Sequence, residues 1–200
     1  MRAATEPATI LIVPGLRDHV AEHWQTLLAA QLDRVQTVEP MGRENLDCAA
    51  RVLALEKRAR EIDGPLILVA HSGGVITVAH WAQKTQRQVR GALLATPPDF
   101  ERPLPAGYPT VPALRAAGWL PVPKLPLPFP SFVAASRNDP LADYRRVVAL
   151  ATAWQSWLVD LGPVGHLNPA SGFGPWPRAL SLIDELDIAS PFSVAMNALC

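Results

Sequence analysis

One stretch constrains this chain more than any other: Gly64-Pro-Leu-Ile-Leu-Val-Ala-His-Ser-Gly-Gly-Val-Ile-Thr77. Leu66 to Ala70 run without a polar break, as a strand does when both its faces are covered in a parallel sheet. The run stops at His71-Ser72-Gly73-Gly74, and Val75, Ile76, Val78 and Ala79 begin an apolar helical pattern at once. A strand turning straight into a helix with a serine at the corner is the layout of a nucleophile elbow. Ala70 and Gly74, two places either side of Ser72, are small enough for so tight a turn; the pattern's first glycine is replaced by Ala70. Read for structure alone, Ser72 is a helix N-cap and Gly73-Gly74 a flexible turn. The catalytic reading needs an acid and then a histidine further along the chain.

Strands alternate with helical patterns through the first half. Thr9 to Val13 is a short apolar strand, followed by Pro14-Gly15-Leu16-Arg17 and a helix carrying Trp24, Leu27, Leu28 and Leu32. Arg34 to Glu39 reads as a second strand, Leu46 to Ile62 as a surface helix with Val52, Leu53, Leu55, Ala59 and Ile62 on its apolar side, and Arg90 to Ala95 as the strand after the elbow helix. This alternation predicts an α/β fold: a three-layer α/β/α sandwich with a mostly parallel sheet of about six strands and no large cap. Residues 1–188 are expected to form one domain, with 189–200 as a tail. From Pro97 to Pro130 prolines recur so densely that no long helix or central strand fits. Only Ala113 to Trp119 has room for a helical turn or two. This segment reads as a connection and as a rigid rim, with Tyr108, Trp119, Leu125 and Phe129 offering an apolar patch.

The other two groups follow in the required order. Ser131 to Ser136 is a strand that delivers Arg137-Asn138-Asp139-Pro140 at its carboxyl end, where reactive groups gather in an open α/β sheet. Asn-Asp-Pro is also a good turn and helix start. Asp143 is a rival acid, but it falls inside the expected helix from Leu141 to Trp154. Ser156 to Leu161 is the last strand, and Gly162-Pro-Val-Gly-His-Leu-Asn168 follows it, with Asn168 and Ser171 expected to brace His166. Trp176 to Leu186 is a closing helix. Ser72, Asp139 and His166 thus stand in order, each just past a strand. The backbone N–H groups of Leu16 and Gly73 are the candidate oxyanion donors.

Other functions find less support. The formal net charge is +0, so nothing points to nucleic acid or an anionic membrane surface. No apolar run approaches a membrane span. The first strand lacks the full glycine motif of a dinucleotide site. His19 and His23 stand four apart, but Glu22 is misplaced for the metalloprotease motif, so they are expected to be surface or supporting groups rather than metal ligands. Cys48 and Cys200 form no framework and suit a reducing cytoplasm. No metal or cofactor is expected.

Four pieces together carry a family resemblance: Val13-Pro-Gly-Leu16 with His23-Trp24-Gln25, Val69-Ala-His-Ser-Gly-Gly74, Ser136-Arg-Asn-Asp-Pro140, and Gly162-Pro-Val-Gly-His-Leu-Asn168 with Ser171-Gly-Phe-Gly-Pro-Trp-Pro177. In this order the chain resembles the small serine hydrolases of the RBBP9/YdeN type, a compact branch of the α/β-hydrolase fold. The resemblance implies Ser72 as nucleophile, His166 as base and Asp139 as acid, and no large lid. Without a cap little protein is available to enclose a long acyl chain, so a small acyl ester or amide is the expected substrate. It departs at Gly73, where the family commonly has a bulky apolar residue, and at Glu39-Pro-Met-Gly-Arg-Glu-Asn45, where an aromatic Asp-Trp segment is often found. The other reading on the same fold is a non-catalytic or dual-role protein-interaction module.

Overall fold

A computed structural model describes residues 6–17, 20–42 and 44–188. Six parallel strands form one sheet: β1 (Thr9–Val13), β2 (Val35–Thr37), β3 (Leu66–His71), β4 (Gly91–Ala95), β5 (Ser131–Ala135) and β6 (Trp157–Asp160), in the order β2-β1-β3-β4-β5-β6. The helices are α1 (Trp24–Ala29), α2 (Cys48–Arg60), α3 (Gly73–Ala82), α4 (Val111–Ala116), α5 (Tyr144–Ala153) and α6 (Arg178–Ile188). The elements match the sequence expectations in kind and differ at their ends. The expected helix pattern through Leu32 ends earlier, at Ala29, and β2 is shorter than expected.

The unbroken apolar strands are explained by burial on both sides. Leu66, Leu68 and Ala70 of β3 pack into a core with Leu55 and Ala59 of α2 and Val75 and Trp81 of α3. Ile67 and Val69 point the other way, into a second core with Trp24 of α1 and Leu182, Ile183 and Leu186 of α6. Trp24, 1% exposed, is a core residue as expected. Leu53 is not: it is 67% exposed on the outer side of α2.

The proline-rich segment is pinned by buried indoles. Trp119 Nε1 donates to the Leu46 carbonyl at 2.7 Å, and Trp154 Nε1 donates to the Pro123 carbonyl at 2.8 Å. Trp119 and Phe129 therefore belong to the core, while Leu125 is exposed; of the expected rim patch only Tyr108 lines the cleft described below. No helix among the described residues is long and apolar enough to cross a membrane.

Strand order sets where a site can lie. β2 lies on one side of β1 and β3 on the other, so the chain reverses direction across the sheet between them. At such a switch point the loops leaving the carboxyl ends of adjacent strands diverge and leave a crevice. The register pairs Val13 with Ala70, His71 with Ala95, and Ala95 with Ala134. Pro14 to Leu16 therefore emerges beside His71 to Gly73.

Candidate active site

Ser72 occupies the corner between β3 and α3, with φ 56° and ψ −130°. A β-carbon makes this conformation costly, so the surrounding structure must hold it. Backbone bonds do so on both sides: Ser72 N donates to the Ala95 carbonyl at 3.0 Å, and the Ser72 carbonyl accepts from Val75 N at 2.9 Å. The close approach of β1 explains the next two glycines. A β-carbon on Gly74 would stand 2.5 Å from the carbonyl oxygens of both Val13 and Pro14. One on Gly73 would stand 2.6 Å from Leu16 Cγ. The bulky residue common in this position of the resembling family has no room while Leu16 keeps its place.

The Ser72 side chain makes no capping bond to α3. Its Oγ lies 2.7 Å from His166 Nε2 instead. His166 Nδ1 lies 2.8 Å from Asp139 Oδ2 and 3.0 Å from Oδ1. These partners assign the tautomer: the ring proton sits on Nδ1, which donates to the carboxylate, and bare Nε2 accepts from the hydroxyl. The imidazole and the carboxylate are nearly sealed from solvent, at 5% and 2% exposure. Asp139 also keeps its turn role, since Oδ1 accepts from Leu141 N at 2.8 Å. Asp143 takes no part in this cluster. It sits before α5 rather than inside it and caps the helix, accepting from Arg145 N at 2.8 Å.

The histidine is fixed from several directions. Its N–H donates to Ser171 Oγ at 3.0 Å, and Ser171 N donates to Asn168 Oδ1 at 2.9 Å, the bracing expected of those residues. Asn138 Oδ1 accepts from Gly165 N at 2.7 Å and from Ser136 Oγ at 3.0 Å, joining the Asp139 turn to the His166 loop. His71 Nε2 donates to the His166 carbonyl at 2.9 Å. Burial, then the neighbouring His166 and His23, hold the His71 pKa well below the ordinary histidine value, so this ring stays neutral. Sequence reasoning assigned no role to Asn138 or His71. Their partners lie in loops distant in sequence, so no local spacing reveals them.

Leu16 and Gly73 come together beside Ser72. The position a Gly73 β-carbon would take is 3.4 Å from Leu16 N. Gly73 is the first residue of α3, so its N–H has no intrahelical acceptor. The loop holding Leu16 is braced by Arg51, whose guanidinium donates to the Gly42 and Asn45 carbonyls and, at 3.4 Å, to that of Leu16. Gln25, buried in α1, donates to the Val13 and Val69 carbonyls at 3.2 and 3.0 Å and so ties that helix to β1 and β3.

Of the two roles expected for His23, surface or supporting group, the structure shows the second. It is 6% exposed, accepts from Gln25 N at 3.2 Å as the cap of α1, and meets His71 edge-on with ring centroids 4.7 Å apart. His19 and the tail 189–200 lie outside the described residues. Among the described residues no group of His, Cys, Asp and Glu is arranged to hold a metal. Cys48 is a free, buried thiol pushed up to about 11 by burial, so it stays unreactive at neutral pH.

Ser72 and His166 open into a cleft of about 640 Å³. Leu16, Phe100, Leu104 and Tyr108 supply apolar wall, and Arg17 and Glu44 stand in its lining.

Fold and crevice together define an α/β hydrolase, with a serine at the elbow. The model of the serine hydrolase family matches residues 10–185, and the chain belongs to that family. Among solved structures it is similar to a YdeN-like hydrolase from Pectobacterium atrosepticum, with 30% identity, TM-score 0.76, and coverage of 90% of this chain and 93% of the other. The ydeN gene product of B. subtilis matches with TM-score 0.64 at 19% identity, over 90% and 98% of the two chains. A thermophilic esterase from Thermogutta terrifontis shares the fold at TM-score 0.59 and 16% identity, over 91% and 89%. No curated protein sequence is significantly similar to this chain.

Proposed function

We propose that this hydrolase cleaves small acyl esters or amides through Ser72, His166 and Asp139. The observation that carries the reading is the unbroken contact from Ser72 Oγ to His166 Nε2 and from His166 Nδ1 to Asp139. His166 Nε2 takes the hydroxyl proton as Oγ attacks the acyl carbonyl, and Asp139 stabilises the imidazolium that forms. The N–H groups of Leu16 and Gly73 receive the developing oxyanion. Each such donor is worth about 10²–10³ in rate. Collapse of the intermediate breaks the bond to the leaving group, which departs with the proton from His166 and leaves an acyl-Ser72. Water, deprotonated by the same histidine, attacks the acyl group, releases the acid and restores the serine. His71, buried and neutral, adds no second cation beside the imidazolium.

The cleft opens without a covering domain, which favours short acyl groups. The deciding experiment is labelling with a fluorophosphonate, followed by mass mapping of the modified residue. The expected result is a single adduct on Ser72, absent from Ser72→Ala. Failure to label the folded protein would leave the binding-module reading in its place.

A further inference from the structure

Arg17 directly follows the candidate oxyanion residue Leu16 and lines the same cleft as Ser72. It is the only arginine or lysine among the lining residues described. No carboxylate in the described residues lies within 4.0 Å of it, although Arg58, Arg90, Arg137 and Arg146 each have such a partner. Yet its guanidinium is held in place. One NH2 donates to the Gly107 carbonyl at 2.7 Å, and the carbon at its centre sits 3.8 Å over the Tyr108 ring. Neither contact neutralises the charge, and among the described residues only the Gly107 carbonyl takes up one of the five N–H donors. Ordering a long cationic side chain costs conformational entropy, and here an ordered cation lines the reaction cleft with no counterion among the described residues.

Resting on the hydrolase reading above, we propose that Arg17 binds a carboxylate at the far end of the substrate's acyl group. The preferred substrates are then half-esters or half-amides of short dicarboxylic acids. The side of the scissile bond follows from the site's layout. The leaving group must lie against His166, which protonates it, along the wall of Asn168, Pro169 and Ala170. Leu16 offers its N–H to the carbonyl oxygen, and Arg17, next in the chain and lining the same cleft, is then available to the acyl side. A planar guanidinium matches a carboxylate in a two-point contact. Glu44, the other charged group in the lining, forms no ion pair with Arg17 and repels the same carboxylate.

The test compares p-nitrophenyl hemiglutarate with its neutral methyl ester, so that the leaving group is constant. The readout is the ratio of their kcat/KM values. The wild type is expected to favour the anionic ester by at least about 10-fold, the scale of a hydrogen bond to a charged group. Arg17→Gln should bring the ratio to about 1 or below. Arg17→Lys should recover part of it, and Glu44→Gln should raise it. Added salt should lower the wild-type ratio through screening. If Arg17 merely latches the loop to Tyr108, Arg17→Gln slows both esters alike and the ratio stays where it was; that result overturns the assignment, as does a wild type that prefers the neutral ester. A protein that hydrolyses neither ester and takes no fluorophosphonate on Ser72 overturns the hydrolase reading instead.

Discussion

His71 Nε2 lies 2.9 Å from the carbonyl oxygen of His166, a bond between two buried groups 95 residues apart. It ties the end of β3 to the loop that presents the proposed base, so the serine and the imidazole share one anchor. His71→Phe removes the donor and leaves that carbonyl unpaired. The expected outcome is a kcat loss of about 10²-fold from misplacement of the base, with KM little changed. His71→Gln, which keeps an N–H donor, should recover part of the loss. Wild-type kcat in His71→Phe would show that the bond positions nothing.

The same ring makes stability depend on pH. Its folded pKa is depressed by burial and by the neighbouring histidines, whereas the unfolded chain titrates near 6.5, the ordinary histidine value. The unfolded state therefore binds a proton that the folded state does not. This contribution is fully present above about pH 6.5 and is lost as pH falls toward the depressed folded value, by at most about 1.4 kcal/mol per pH unit. Denaturant melts at pH 7.5 and 5.5 should show a drop in the wild type that is smaller in His71→Gln. An equal drop in both proteins would remove His71 from the account.

Asp139 and Asp143 separate activity from stability. Asp139→Asn should cut kcat by roughly 10³–10⁴-fold, because the amide no longer holds the productive tautomer. Asp143→Asn keeps a side-chain oxygen able to cap α5, so Asp143→Ala is the sharper probe. It is expected to cost about 0.5–2 kcal/mol of stability while kcat is retained. Loss of turnover in Asp143→Ala, with Asp139→Asn active, would name the other carboxylate as the acid.

The two glycines after Ser72 should fail differently. A methyl on Gly74 meets backbone carbonyls that cannot step aside, so Gly74→Ala is expected to destabilise by about 1–3 kcal/mol or more. A methyl on Gly73 meets Cγ and Cδ2 of the Leu16 side chain, which can move with its loop. Gly73→Ala should melt close to the wild type yet lose kcat, since Leu16 shifts with its N–H. Unchanged kcat in Gly73→Ala would separate Leu16 from oxyanion binding.

These contrasts show what the sequence made legible. Strand runs such as Leu66 to Ala70 are long, apolar and covered on both faces, so they read without ambiguity. Ser72, Asp139 and His166 were placed because each follows a strand, and a parallel sheet lines up strand ends. The helix ends differ because caps decide them: Asp143 lies within the helical pattern of the sequence, but its side chain closes the first turn of α5 from outside. The rim residues misled because indoles pulled Trp119 inward to a carbonyl partner in another loop. Arg17 beside Tyr108 and Asn138 beside Gly165 pair across long sequence separations, and no periodicity marks them.

Ser72→Gly and Ser72→Ala should both be inactive but differ in stability. Glycine accepts φ 56°, ψ −130° readily, whereas alanine keeps the β-carbon and its strain. The glycine variant is expected to be the more stable by about 1 kcal/mol, despite its greater freedom when unfolded. A less stable glycine variant would mean the corner is relaxed.

That backbone corner has a wider implication. Its distortion is present before any substrate arrives, maintained by the sheet on one side and the helix on the other. Random change at this position meets a gradient toward a sturdier, inert protein, and only a requirement for turnover opposes it.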